Sequence, residues 1–158
     1  SYTTSTPGGA EAMAMADRIA VLVDGEVVQF GTPEELWQRP NHPFVAATIA
    51  DLQPLKGRIE GTQCVTAFGA LPLRLLALTT DLAEGTSVPI GVRPSSLTVS
   101  LEGPCVVNDI RFLGDRYTLL ISADNQNLEV ATTLKPKVTV GDKVSISFAA
   151  AQAVILQP

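Results

Sequence analysis

The chain has 158 residues, 46% of them apolar and 17% charged, with a net charge of -5. That is enough apolar material for a core, which excludes a disordered chain. The acidic balance, with no run of Lys or Arg, disfavours binding to a phosphate backbone. The longest apolar stretches, "LPLRLLAL" from Leu71 and "FAAAQAVIL" from Phe148, are shorter than the ~20 residues a spanning helix needs.

In chain order, "SYTTSTPGGA" has no basic region and no apolar core, so it reads as a leader or tail and not as a signal peptide. "EAMAMADR", Glu11 to Arg18, is a run of good helix formers. "IAVLVDGEVVQFG" then reads as two strands around Asp24-Gly25, a two-residue hairpin signal. Thr32 is a good N-cap, Pro33 suits the first helical position, and Glu35 completes a capping box. The helix "PEELWQR" stops before Pro40, and a second short helix, "HPFVAATIA", follows Asn41.

The texture changes at Gln53-Pro54. From there the chain reads as short β-rich runs between turns: "KGRIEG", "QCVTAFG", "LPLRLLAL", "SVPIGVRP", "SLTVSLEG", "PCVVNDIRFLG", "RYTLLISAD", "NLEVATTL", "KVSISFAA" and "AVILQP". Such spacing predicts a small barrel or sandwich. In "GDKVSISF" the residues Val144, Ile146 and Phe148 alternate with Lys143, Ser145 and Ser147, which predicts a strand with one wet face. The fold expected is mainly β with a small α/β N-terminal appendage. The divisions expected are a leader at 1-10, the appendage at 11-52 and the β module at 53-158. An appendage of two helices and a hairpin is too small to bury a core alone.

Little in the chain carries chemistry. No GxxxxGK[ST], GxGxxG or CxxC is present. The paired glycines of "TPGGAE" have no lysine after them and read as linker. His42 is the only histidine and precedes Pro43, which suits a helix-entry residue and rules out a site of several imidazoles. Glu34 and Glu35 complement the positive end of a helix. Asp17 and Arg18 read as a helix-end pair. Cys64 and Cys105 each sit beside a valine and read as buried, reduced thiols. The candidates for function are few. Trp37 suits either an interface anchor or a partly buried core residue. Arg93, in "GVRP", suits either anion binding or the tying of a loop. Gly114, Asp115 and Arg116, in "LGDRY", read as a hairpin turn at a barrel rim, with a ligand or domain contact as the alternative.

Two ordered sets of residues carry a resemblance. "EAMAMADRIAVLVDGEVVQFGTPEELWQRPNHPFVAATIA" resembles the end of the ATP-binding subunit of bacterial ABC importers. The matching positions are Ala16, Asp17, Arg18, Ile19, Gly25, Gln29, Gly31, Thr32, Pro33, Pro40, Phe44, Val45 and Ala46. The remainder resembles the TOBE-type regulatory barrel of such subunits, an OB-like module. "IGVRPSSLTV" is similar to its Gly-Ile-Arg-Pro strand, with Ser95 and Ser96 where an acidic pair is usual. "VVNDIRFLGDRYTLLI" and "VTVGDKVSISF" resemble two further strands.

The departures limit what the resemblance implies. Upstream of Glu11 the family shows Thr-His-Asp-Gln-Glu, whereas here the positions read "TPGGA", with Pro7 at the histidine. The phosphate loop, the signature loop and the acidic magnesium strand have no counterpart in these residues. The resemblance therefore implies no catalytic, cofactor or metal residue here. It implies a C-terminal piece of an ATPase subunit whose parent uses ATP and Mg. The partners implied are transmembrane permease subunits and a second copy, dimerised through the barrel, at the cytoplasmic face of the inner membrane. In the parent, two ATPase subunits close on two ATPs and switch the permease, while the regulatory barrels tether the pair. Ferric iron or another small solute is the expected cargo, and "FLGDRY" leans toward an inorganic ion.

The alternative to this regulatory and dimerisation role is a barrel that senses a small ligand, an oxyanion, metal or polyamine. An OB-like nucleic-acid binder needs a basic face with stacking aromatics, which an acidic chain with 5% aromatics lacks. A hydrolase lacks a constellation. With the ATPase domain missing, "RIAVLV" would have an open edge, expected to be covered by a partner chain.

Overall fold

A computed structural model describes residues 9-75, 82-148 and 153-155. The described residues fall into two units, one up to Leu52 and one from Gln53 to Ile155.

The first unit begins with helix α1, Gly9–Met15, which starts and ends earlier than its sequence suggests. Strands β1, Ile19–Val23, and β2, Glu26–Gly31, form an antiparallel pair. Asp24 and Gly25 turn between them with φ of 51° and 80°, the left-handed values that a tight hairpin requires. Helix α2, Pro33–Gln38, has the complete capping box. The Glu35 N–H donates to Thr32 Oγ1 at 3.3 Å, and the Thr32 N–H donates to Glu35 Oε2 at 3.0 Å. Gly31 has to be glycine for this, because a Cβ there would stand 2.5 Å from Glu35 Oε2. Helix α3, Pro43–Thr48, is capped by His42, whose Nδ1 accepts the Phe44 N–H at 3.1 Å. The lone histidine is thus a helix-entry residue, as its place before Pro43 suggests.

Gln29 joins these pieces. Its Nε2 donates to the Arg39 carbonyl and its Oε1 accepts the Asn41 N–H, both at 3.0 Å. One side chain therefore ties β2 to the segment between the two helices. Ile19, Val21, Leu36, Val45 and Ile49 form a buried cluster whose members all belong to this unit. This corrects the expectation that so small an appendage assembles no core of its own. Regular alternation on the hairpin and the capping of two short helices aim these five side chains at one point.

The second unit is two antiparallel sheets around one larger cluster. The five-stranded sheet contains β3, Gln53–Glu60, β4, Gln63–Thr66, β5, Gly69–Pro72, β6, Ser87–Val92, and β11, Val154–Ile155, in the order β11-β6-β3-β4-β5. The four-stranded sheet contains β7, Thr98–Phe112, β8, Tyr117–Ala123, β9, Gln126–Thr132, and β10, Lys143–Ser147, in the order β10-β7-β8-β9. The predominantly β architecture expected from the turn spacing is therefore present.

Three details differ from the sequence reading. "LPLRLLAL" is strand only to Pro72 and then becomes a 3-10 turn at Leu73–Leu75, with the rest of the run outside the described residues. "QCVTAFG" is divided between β4 and the turn into β5. "SLTVSLEG" and "PCVVNDIRFLG" belong to one long strand, β7. Glu102 takes φ of 68° inside it, and the ladder with β10 slips from the pair Lys143–Val106 to the pair Val144–Leu101. A bulge bends the strand here without ending it, so turn residues alone give a false stop.

Burial on β10 and at the residue after it follows the alternation, with Val144, Ile146 and Phe148 buried. Cys64 and Cys105 are free and fully buried, and burial pushes both thiols above their ordinary pKa. Cys64 faces Gly57 across the sheet, where a Cβ would collide with its sulfur. Gln53 links the two sheets. Its Nε2 donates to the Glu129 carbonyl at 2.6 Å, and its Oε1 accepts the Glu129 N–H at 2.8 Å.

Candidate functional site

The candidate site is the outer end of the β7–β8 hairpin. Phe112 pairs with Tyr117 and closes a loop of four residues, Leu113 to Arg116. The Leu113 N–H donates to the Arg116 carbonyl at 2.8 Å, and Gly114 supplies φ of 94° at the bend. Both Phe112 and Leu113 are more than half exposed, at 56% and 52%. The Phe112 ring rests on Tyr117, with centroids 4.9 Å apart and planes tilted by 38°.

The ladder brings a third strand to the same end. Thr132 of β9 pairs with Tyr117, and Leu134, two residues further on, is 77% exposed. Asp115 and Arg116 are exposed at the tip, and neither belongs to an ion pair among the described residues. The ion pairs present are Arg58 with Glu60 and Arg111 with Asp109. The tip thus combines two exposed apolar side chains, Phe112 and Leu113, with one acid and one base.

Gly114, Asp115 and Arg116 form the hairpin turn read from the sequence. Arg93 and Trp37 lie elsewhere. Arg93 follows β6 at the entry of the 3-10 turn Pro94–Ser96 and is only 6% exposed. Its carbonyl accepts both the Ser96 N–H at 3.1 Å and the Ser96 hydroxyl at 2.9 Å. The Arg93 main chain thus ties the turn, while its side chain is largely buried. Trp37 is half-buried on α2 in the other unit. The five candidates therefore stand on three elements.

Two shallow depressions lie on the described surface of the second unit. One, of about 440 Å³, lies between Pro104, Val106 and the β8–β9 turn around Asp124 to Asn127. The other, of about 220 Å³, lies on the sheet between Asp109, Arg111, Leu120 and Glu129. Neither contains a buried charged side chain. Among the described residues no three His, Cys, Asp or Glu are grouped to hold a metal ion. No described helix is long and apolar enough to cross a membrane.

Sequence reasoning missed the two halves of this site that depend on pairing. Phe112 and Leu113 were part of a strand pattern, and Leu134 part of another. The adjacency "FL" before the turn glycine Gly114 was a usable signal, since it puts apolar residues where the hairpin bends. That Thr132, two residues before Leu134, reaches Tyr117 at this end follows only from the β8–β9 register. Gln53 was also missed, because its partner lies 76 residues away.

The TOBE domain family matches residues 90–156. Over 150 residues the chain is 33% identical to the Fe(3+) ions import ATP-binding protein FbpC of Streptomyces coelicolor, covering 92% of this chain and 41% of that protein. Over 138 residues it is 36% identical to the spermidine/putrescine import ATP-binding protein PotA of Acidothermus cellulolyticus, covering 79% of this chain and 36% of that protein. The chain thus spans about two fifths of the length of these relatives. A solved structure of the cytoplasmic molybdate-binding protein ModG, with molybdate bound, aligns with 66% of this chain and 96% of its own. Its TM-score of 0.46 and identity of 14% are too low to carry an argument. Residues 90–156 are a TOBE domain, and most of the chain is homologous to the ATP-binding subunits of bacterial ABC importers.

Proposed function

We propose that this chain is the regulatory and dimerisation part of the ATP-binding subunit of an ABC importer. The observation that carries the reading is the alignment of 92% of the chain with an import ATP-binding protein, through both units. The first unit corresponds to the end of an ATPase domain, and the second to its regulatory barrel. ATP and Mg act in the rest of such a subunit, since the GxxxxGK[ST] loop that cradles phosphates has no counterpart in this sequence. The chain itself turns over no ATP. Its partners are permease subunits and a second copy, at the cytoplasmic face of the membrane.

In this reading the barrel's task is mechanical. Two copies in contact keep their ATPase domains at high effective concentration when nucleotide is absent. The names of the relatives print two solute classes, Fe(3+) ions and spermidine/putrescine. We assign ferric iron or another small solute as cargo. Uptake of radiolabelled Fe(3+) against spermidine, in cells carrying the whole importer, separates those classes.

Light scattering across a concentration series tests the tether. A mass that rises to twice the 16.6 kDa of the chain supports it. A mass that stays at one chain throughout refutes dimerisation through these residues.

A further inference from the structure

We infer that the two units are joined without a flexible linker, and that the single peptide from Leu52 to Gln53 is the joint through which movement of one unit reaches the other. The inference goes beyond the reading above and does not need two copies to meet. The boundary between the units falls at that peptide. Boundaries between domains usually lie in exposed, polar segments that few contacts cross. Here the chain is bonded up to the last residue of the first unit and from the first residue of the second.

On the first side, the end of α3 is wrapped by its own backbone. The Ile49 and Ala50 N–H groups both donate to the Val45 carbonyl, at 2.9 and 3.1 Å, and the Leu52 N–H donates to the Ala46 carbonyl at 2.9 Å. Asp51 sits in this return with φ of 52°, a left-handed value that aspartate tolerates better than most residues. The residues on either side of it, Ala50 and Leu52, are buried, so packing as well as bonding holds the turn. On the second side, Gln53 pairs with Val92 of β6, and its side-chain amide both donates to and accepts from the Glu129 backbone. Pro54 has a fixed φ and keeps Gln53 before it extended. Each of these bonds lies within one unit. Between the two anchors, the soft angles left are ψ of Leu52 and φ of Gln53. A rotation of the first unit therefore turns those two angles or breaks a bond at one anchor. In the importer reading, the barrel follows the ATPase domain with little slack.

Backbone amide NMR relaxation of the whole chain tests the joint. The chains compared are wild type, Gln53→Ala, and one with two glycines inserted between Leu52 and Gln53. Far-UV circular dichroism checks that each folds. In wild type the amides of Asp51, Leu52 and Gln53 should match those of α3 and β3, with order parameters of about 0.85, and both units should tumble with one correlation time. The insertion should lower the order parameters at the joint below about 0.6 and give each unit its own, shorter correlation time. Gln53→Ala should lower the order at the joint without unfolding either unit. Wild-type order parameters that dip at these three amides overturn the inference. Units that still tumble together after the insertion also overturn it, because something other than this peptide then couples them. A Gln53→Ala chain as ordered at the joint as wild type overturns the second anchor, on which the inference depends. A chain that is monomeric at every concentration refutes the dimer reading and leaves these outcomes unchanged.

Discussion

Replacing Gly57 with alanine should destabilise the second unit, and removing the sulfur of Cys64 should relieve most of that loss. Gly57 of β3 lies beside Cys64 of β4, and a Cβ built on Gly57 would collide with Cys64 Sγ. The other neighbours leave ordinary room, with the Val88 carbonyl at 3.6 Å and Val88 Cγ2 at 3.7 Å. Cys64 is fully buried, so its sulfur cannot swing out to solvent. Overpacking of this kind costs about 1–3 kcal/mol. Cys64→Ala alone removes one buried heavy atom and costs about 1 kcal/mol. If the two effects were independent, the double variant would lose about 2–4 kcal/mol, their sum. Because the new methyl occupies the space the sulfur leaves, the double variant should lose no more than about 1 kcal/mol, a coupling of the size seen between touching residues. Urea unfolding followed by far-UV circular dichroism measures all three. A Gly57→Ala chain as stable as wild type, or a double variant that loses the full sum, would refute the reasoning.

Three other outcomes are expected. Thr32→Ala removes the acceptor of the Glu35 N–H and should cost about 1 kcal/mol of helix stability. The only tryptophan, Trp37, lies on that helix, so its fluorescence reports the loss in a urea titration. Gln53→Ala breaks both bonds to the Glu129 backbone and should cost about 1–3 kcal/mol, while a loss confined to the noise of the melt would show that the two sheets hold without it. Burial raises the thiol pKa of Cys64 and of Cys105 above 9.0, so the folded chain keeps protons that the unfolded chain releases. Their contribution to stability is therefore complete below pH 9.0 and is lost as pH rises through the higher folded values. Melts at pH 8 and pH 10 check the sign, and both thiols should resist iodoacetamide until the chain unfolds.

The local structure of the first unit was legible because its signals are short in range. Thr32, Pro33 and Glu35 specify a helix start within four residues, and Asp24-Gly25 specifies a hairpin within two. His42 could be read as a helix entry from the proline after it. The strand "KVSISF" declared its buried face by simple alternation. In each case the energetics are settled between residues that are near neighbours in the chain. The ordered match from Ala16 to Ala46 depended on the same residues. Gln29 and Gly31 in that match acquire a physical reason only in the folded chain. One ties the helices to the hairpin, and the other leaves room for the cap.

The tertiary structure decided what depends on pairing at long range. The turn-like residues Glu102 and Gly103 look like a break, yet pairing with β8 and β10 carries β7 through them, with a left-handed residue as the cost. A run of leucines after Pro72 looks like a strand, but the ladder with β4 ends there and a 3-10 turn follows. Arg93 was open to either reading and the fold buries it, whereas Phe112 and Leu113, at the end of a β-rich run, stand exposed where the hairpin turns. By itself, then, the sequence determined the caps, the turns, the wet and dry faces of strands, and the kinship with importer subunits. Register and bulges were left to the tertiary structure, because strand ladders join residues far apart in the chain and no local preference can weigh one partner against another.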